Sequence, residues 1–444
     1  MTASTEASPD AASDGVVPPP DVLRPKGFSL GSSGSTGWNL FDDDVPFPAA
    51  VIIESALDHN GATMRSFCDR HGVSLAPHGK TTMSPALFRR QLRDGAWAIT
   101  AATTWQARAM RFGGVPRVLI ANEVVVPSEI EWILAARAEG FEVSCYVDSL
   151  DGVSILNETA ERTASVRPVP SGATTGASPT VDGRIPVYVE LGIVGGRTGA
   201  RTVDEAVRIA EAVSRSPHLR LDGVGGFEGI IVDGDGWSAE QLVCRFLDRI
   251  VEAAERMDAA EMFEPGREVI LTAGGSAYFD HVVDRLSRAH VTQPVRVVIR
   301  SGCYITHDDG ALHDASPMGA VCRTGHDDRL QAAIEVWGAV LSRPEPTRVV
   351  IGIGKRDAST DGSLPVVKKV RRRGSHSVES VELNRFVQVN DQHAFLDVGI
   401  EEPWRVGDLV GVGISHPCTT FDKWRAIPIV DDDYTVVEVA ETLF

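Results

Sequence analysis

This chain has little positive charge, no paired cysteine spacing and no unbroken apolar length. Its 444 residues carry 43 basic against 61 acidic side chains, a net charge of −18. Such a field repels phosphate backbones, which argues against nucleic acid as a partner. Six cysteines (Cys68, Cys145, Cys244, Cys303, Cys322, Cys418) are scattered without close pairing, so reduced thiols are expected rather than a disulfide framework. No run approaches the roughly 20 apolar residues that a membrane-spanning helix needs. Met1–Pro20 is rich in Ala, Ser, Asp and Pro and lacks an apolar h-region. The expectation is a cytoplasmic protein that binds neither nucleic acid nor membrane.

What is there is a globular composition, 43% hydrophobic, in a chain long enough for two or three domains. Residues 1–45 read as a flexible leader, with a triple proline at Pro18–Pro20 and a Gly/Ser run from Gly31 to Gly37. From Ala49 short apolar runs alternate with amphipathic segments. The runs are Val73–Ala76, Trp97–Thr100, Val118–Ala121, Glu142–Val147, Ile185–Leu191, Leu219–Gly225, Glu268–Thr272 and Val295–Ile299. Helical patterns such as Ile130–Glu139, Val203–Ser214 and Ala239–Ala259 lie between them. Eight strand-then-helix units predict a (β/α)8 barrel over residues 46–307. A low-complexity stretch at about 160–183 reads as a loop inserted in it. Beyond about Asp308 the segments are short, alternating and turn-bounded, as at Ala332–Leu341, Arg348–Ile353, Arg385–Val389 and Val436–Ala440. They predict an all-β domain over 308–444. The basic run Lys368–Arg373 within it reads as a solvated face.

In such a barrel, function collects on the loops at the carboxyl ends of the strands. Lys80, in Pro77-His78-Gly79-Lys80-Thr81-Thr82, follows the first strand and precedes a helix-like segment opening at Ser84-Pro85. There its amine lies near a helix N-terminus, an anion site, and a neutral lysine can attack a carbonyl. The fifth strand leads into Glu190–Gly199, a glycine-rich turn containing Arg197. The seventh ends at Gly274-Gly275-Ser276 and the eighth at Arg300-Ser301-Gly302-Cys303-Tyr304. Backbone N–H groups on these last two loops suit a phosphate, with Gly302 and Tyr304 closing the cradle. A phosphate site facing a lysine that bonds carbonyls suggests pyridoxal phosphate. Glu228, at the end of the sixth strand, reads as a capping or solvated residue.

The last feature is His416-Pro417-Cys418. Imidazole and thiolate suit zinc, and two protein ligands leave positions open for water or substrate. Read alone, the pair does not separate a metal site from an accident of sequence.

From about Ala49 onward these residues resemble the fold-type III pyridoxal phosphate enzymes, the alanine racemase superfamily. Within it the likeness is to the D-serine dehydratase and D-threonine aldolase branch. Pro77-His78-Gly79-Lys80-Thr81 is similar to the motif whose lysine carries the cofactor, although Ala76 stands where the branch often has arginine. The turn ending Arg197-Thr198-Gly199 is similar to the branch's arginine turn near the cofactor ring, and the Gly274 and Arg300 loops to its phosphate-side loops. Dehydratases of the branch carry a His-x-Cys zinc pair where aldolases tend to have aspartate for the cysteine, so Cys418 favours the former. His393 resembles a segment preceding the metal loop. The resemblance thus implies a lyase with pyridoxal phosphate and zinc: a D-amino-acid dehydratase giving an oxo acid and ammonia. Its site would hold Lys80 as catalytic residue, with His78, Arg197, Gly274, Gly275, Ser276, Gly302 and Tyr304 at the cofactor, and His416 and Cys418 on the metal. The competing expectations are a D-threonine aldolase and a non-catalytic pyridoxal phosphate carrier. A homodimer is compatible with the sequence but not demanded by it.

Overall fold

The computed structural model describes residues 37–42, 45–166, 182–234, 236–324 and 328–444. Most of the leader and residues 167–181 of the expected insertion therefore lie outside the described residues. The helix Leu150–Val166 occupies the beginning of that insertion.

Eighteen strands build two sheets. β1 (Ala49–Ile53) is followed by eight parallel strands, each after the first preceded by a helix or helical turn. They are β2 (Ser74–Leu75), β3 (Ile99–Ala101), β4 (Arg117–Glu123), β5 (Glu142–Val147), β6 (Ile185–Leu191), β7 (Leu219–Gly226), β8 (Val269–Ala273) and β9 (Val295–Ile299). The sheet runs β2-β9-β8-β7-β6-β5-β4-β3. Its two end strands meet through a single parallel bridge, His78 to Thr100. Thr100 N–H donates to Pro77 O at 2.8 Å and its hydroxyl to Ala76 O at 2.6 Å. The barrel is thus stitched shut beside Lys80.

Strands covered on both faces need no polar side, which is why they read as continuous apolar runs. β6, Ile-Pro-Val-Tyr-Val-Glu-Leu, is buried at every position. The helices outside are cut by local chemistry. Pro85 and Pro127 open two of them at the first turn. Ser238 and Gln241 form a capping box before Ala239–Ala259. The barrel's interior is filled by Ala76, Ala98, Leu119, Tyr146, Tyr188, Ile270 and Val298, so it is a packed core.

The second sheet follows: β10 (Ile334–Glu345), β11 (Arg348–Ile351), β12 (Val366–Arg371), β13 (Val378–Arg385), β14 (Gln388–Val389), β15 (Ala394–Asp397), β16 (Leu409–Gly413), β17 (Ala426–Val430) and β18 (Val436–Glu441). Its main order is β13-β12-β16-β10-β1-β17-β18. β1 therefore belongs to this sheet, antiparallel to β10 and parallel to β17. The expected barrel span of 46–307 thus opens with a strand of the other sheet, because register with distant partners, not position in the chain, decides membership. The strand expected at Arg385–Val389 is also corrected: β13 ends at Arg385 and β14 begins at Gln388. The basic run is no solvated face either. Lys368 pairs with Asp309 at 2.8 Å, Lys369 with buried Glu335 at 2.7 Å, and Arg372 with buried Asp408 at 3.2 Å. Among the described residues, no helix is long and apolar enough to cross a membrane.

Candidate active site

The carboxyl ends of the barrel strands open into a cavity of about 510 Å³, whose far wall comes from the second sheet. Lys80 enters it from a single helical turn, Gly79–Thr81, directly after β2. Gly79 is needed there, because a Cβ would meet Ile99 and Met110 at 2.6 Å. His78, one residue earlier, is held neutral by burial and by the cations of Arg300, Lys80 and Arg197. Its Nδ1 is buried without a protein partner.

The Gly-rich turn after β6 brings Arg197 to the rim, its guanidinium 4.3 Å from the Phe227 ring. Arg201 builds that turn, donating to the carbonyls of Thr198 at 2.8 Å and Gly199 at 2.6 Å. Gly199 has φ +98°, and a Cβ on it would lie 2.4 Å from Gly192 N, so only glycine fits.

Gly274, Gly275 and Ser276 line the cavity as expected, but one of their amides is already committed. Glu228 is fully buried and accepts from Gly275 N–H at 2.7 Å. Burial pushes its pKa up, against that hydrogen bond. Glu228 is therefore an internal anchor for the loop, which corrects the expectation of a capping or solvated side chain. Ser276, beside it on the cavity wall, offers its N–H and hydroxyl to an anion.

Gly302 lines the cavity for a steric reason, since a Cβ would meet His78 O at 2.5 Å. Tyr304 does not line it. On the tight turn Cys303–Ile305 successive side chains diverge by about a third of a circle. Cys303 faces the cavity, while Tyr304 is buried toward Gln91 on helix Pro85–Arg93. The expectation that Tyr304 closes a phosphate cradle is thus corrected by the geometry of that turn. His393 also lies away from the cavity, exposed on a turn where its carbonyl accepts from Asn390 N–H at 2.7 Å.

His416 and Cys418 follow β16 on the opposite wall. Cys418 opens a short helix whose thiol sits 3.5 Å from Thr81 Oγ1, next to Lys80. The second sheet thereby places its imidazole and thiol against the lysine turn of the barrel. The neighbouring Cys303 sulfur at 3.6 Å, then His416 and Thr81, pull the Cys418 thiol well below its ordinary value despite burial. The Cys418 sulfur, and behind it Asp361, push His416 up to about 9. Asp361 meets His416 Nδ1 at 2.7 Å and accepts from Thr419 at 2.7 Å.

Several cavity residues were not anticipated: Arg300, Tyr146, Glu190, Asn122, Cys303 and Asp361. Arg300 is buried, donating to Thr272 Oγ1 and Gly226 O, both at 2.7 Å, with Nε left over. Tyr146 OH is likewise buried without a partner. Two signals were available, the charges at the ends of apolar strands: Glu190 in β6 and Arg300 directly after β9. Asp361 had none, lying in an ordinary turn.

This geometry can be set beside known proteins. The model for the alanine racemase N-terminal domain matches residues 52–322, and that for a putative serine dehydratase domain matches 333–430. The chain belongs to the alanine racemase N-terminal-domain family. The resemblance drawn from the sequence holds, as does the fold, a barrel-like parallel sheet joined to a sheet-rich second part. Among curated relatives, a D-threonine aldolase from an Arthrobacter species is 23% identical over 93% of this chain and 95% of its own. A D-threo-3-hydroxyaspartate dehydratase from Delftia sp. (strain HT23) is 29% identical, over 48% of this chain and 52% of its own. Among solved structures, D-threonine aldolase from Filomicrobium marinum superposes with TM-score 0.70 at 24% identity, covering 92% of this chain and 97% of its own. The Delftia dehydratase gives 0.67 at 21% identity, covering 90% and 98%. At these identities the structural likeness speaks for the fold.

Proposed function

We propose that this chain is a D-amino-acid lyase that uses pyridoxal phosphate and a divalent zinc ion, and specifically a dehydratase of β-hydroxy D-amino acids. The observation that carries the proposal is the placing of His416 and Cys418 across one cavity from Lys80, joined through Thr81.

The donor sets fit both groups. Lys80 would carry the cofactor, and the unpaired His78 Nδ1, Arg300 Nε and Tyr146 OH are buried donors and acceptors suited to a polar aromatic ring. Ser276 would meet the phosphate. Arg197 would hold the cofactor or the substrate carboxylate. For the metal, Asp361 engages His416 Nδ1 and leaves Nε2 as the ligating atom, the usual carboxylate–histidine arrangement at zinc. Cys303, His416 and Thr81 together push the Cys418 thiol toward the thiolate, the form that binds metal. Among the described residues no three His, Cys, Asp or Glu side chains form a metal cage, which agrees with a two-residue site whose other positions take water or substrate.

Pyridoxal phosphate, when bound, supplies an electron sink for negative charge at the substrate Cα. Zinc supplies a Lewis acid that makes the β-hydroxyl a better leaving group. The chain's own part is geometric and protonic. Lys80 Nζ takes the Cα proton from one face of the substrate, which selects the D enantiomer. His78, kept neutral, adds no second cation beside the Lys80 amine. Asp361 and Thr419 fix the imidazole of His416 on the wall that faces Lys80, where with Cys418 it would hold the metal. Loss of the hydroxyl followed by hydrolysis gives an oxo acid and ammonia.

Likeness to the Arthrobacter D-threonine aldolase over nearly the whole chain favours a second reading, Cα–Cβ cleavage. Cys418, a soft ligand, and the serine dehydratase match over 333–430 favour elimination. A non-catalytic carrier would have no use for the second wall. Product analysis decides: D-serine and D-threonine should give oxo acids and ammonia. Glycine plus aldehyde as the sole products would establish the aldolase, and equal turnover of L-serine would overturn the one-base scheme.

A further inference from the structure

We propose that Cys303 and Cys418 form a redox-active dithiol inside the cavity, which peroxides oxidise to a disulfide. The two sulfurs are 3.6 Å apart, and a disulfide needs about 2.05 Å, an approach of roughly 1.5 Å. Each cysteine is the first residue of a short helical element, Cys303–Ile305 after β9 and Cys418–Phe421 after β16. The Thr81 hydroxyl touches both, 3.5 Å from Cys418 and 3.8 Å from Cys303. Both thiols line the same solvent-connected cavity, Cys303 buried and Cys418 half-buried. A small oxidant therefore reaches Cys418 first, and Cys303 waits within contact distance as the resolving thiol.

The chemistry balances without any group the protein lacks beyond the peroxide itself. The Cys418 sulfur attacks one peroxide oxygen. The S–O bond forms, the O–O bond breaks, and the departing hydroxide takes a proton to become water. The Cys303 sulfur then attacks the sulfenic sulfur of Cys418. The S–S bond forms, the S–O bond breaks, and the leaving hydroxide takes the Cys303 proton as a second water. Two thiols have given two electrons to one peroxide. The product ties the barrel to the second sheet beside Lys80 and converts Cys418 from a free thiol into half of a disulfide, a poor metal ligand. Metal release rests on the reading of His416 and Cys418 proposed above. Disulfide formation does not.

The test uses the holoenzyme loaded with pyridoxal phosphate and zinc and titrated with hydrogen peroxide. Free thiols, non-reducing peptide maps and released zinc are followed together. Expected are a Cys303–Cys418 cross-linked peptide, loss of two thiols and release of one zinc per chain, all reversed by dithiothreitol and added zinc. In Cys303→Ser the cross-link should vanish and Cys418 should go on to sulfinic acid. Should that variant not fold, the parent's peptide map decides alone. Cys418 found as sulfinic acid in the parent without a cross-link would overturn the proposal. So would oxidation confined to Cys244 and Cys322. A parent chain that takes up no zinc when it is supplied, yet forms the cross-link, would refute the metal reading and leave the dithiol standing. Zinc kept by the cross-linked chain would refute the release.

Discussion

The cavity at the carboxyl ends of the strands has a counterpart at the amino ends, about 590 Å³ against about 510 Å³. The lower one is lined by five arginines and three carboxylates, and nearly all of them satisfy one another. Arg117 pairs with Glu142 at 2.7 Å, Arg296 with Glu268 at 2.6 Å, and Arg220 with Asp222 at 2.5 Å and Asp182 at 2.8 Å. Trp97 is flanked by the guanidiniums of Arg117 and Arg296, at 4.6 and 5.7 Å. Among the described residues Arg137 Nε and Arg220 Nη1 are the exceptions, buried without a hydrogen-bond partner, although the latter lies 2.8 Å from Asp182. At the upper end, by contrast, atoms of His78, Tyr146, Glu190, Glu228 and Arg300 are buried without one. Folding normally pairs its buried polar groups. Where it has done so the arrangement serves stability, and where it has not the groups suit a ligand.

The sharpest break between the two ends is Lys80→Ala. It should abolish turnover, by about 10³-fold or more, while leaving urea denaturation of the cofactor-free chain almost unchanged. Borohydride reduction followed by mass spectrometry should find the pyridoxyl group on Lys80 in the parent. Finding it on another lysine would move the site.

Next is Cys418→Ala, or chelation of the metal. Turnover should fall by about 10²- to 10³-fold, the loss of several kcal/mol of Lewis-acid stabilisation. Cofactor content and its visible spectrum should be kept, because Lys80 and Ser276 lie on the barrel. Full activity in a metal-free preparation would refute the zinc assignment, and with it the main ground for preferring dehydratase.

How far the sequence reached follows from what is local. The eight barrel strands were legible because burial on both faces writes each as one apolar run. Lys80 was legible through its place on the loop after the first barrel strand, and the His416–Cys418 pair through the family resemblance, since its spacing alone does not tell a metal site from an accident. Tyr304 was misplaced because on a tight turn a neighbour of a cavity residue points elsewhere. β1 was assigned to the wrong sheet because its partners β10 and β17 come almost 300 residues or more later in the chain. Glu228 was misread because its partner, the Gly275 amide, sits on a different loop. Asp361 meets His416 across 55 residues, a distance at which no spacing rule operates.

At the lower end the expected effect is on stability alone. Arg220→Ala strands the Asp222 carboxylate, while Asp182 keeps Arg184 at 2.6 Å, and breaking the largely buried Arg220–Asp222 pair costs up to about 3–5 kcal/mol. Urea titration should show that loss, with kcat/KM per folded molecule unchanged. A change in kcat/KM would mean that the two ends are coupled through the barrel. Glu228→Ala is the upper-end counterpart. The Gly275 amide loses its acceptor, at about 1–3 kcal/mol, and here cofactor retention should weaken as well, since the same loop carries Ser276.

The smallest effect is the most specific. Glu123, at the end of β4, faces Glu190, and burial together with that neighbour and Asp148 pushes it up from 4.5 to about 8. That shift favours a proton on Glu123 at neutral pH in the folded chain, whereas in the unfolded chain it is ionised. The sign follows from proton counts. Between about pH 4.5 and pH 8 the folded state binds the extra proton, so stability falls as pH rises through that window and levels off above it. The slope from this group is at most about 1.4 kcal/mol per pH unit. In Glu123→Gln the amide donates to Glu190 at every pH, so the falling limb should flatten between pH 5 and 8, a range set by those same two values. The measurement is a series of urea titrations across that range, parent against variant. Parallel curves would show that the Glu123 proton is not held by folding. The upper cavity would then carry a bare pair of carboxylates and, unlike the lower one, a built-in repulsion.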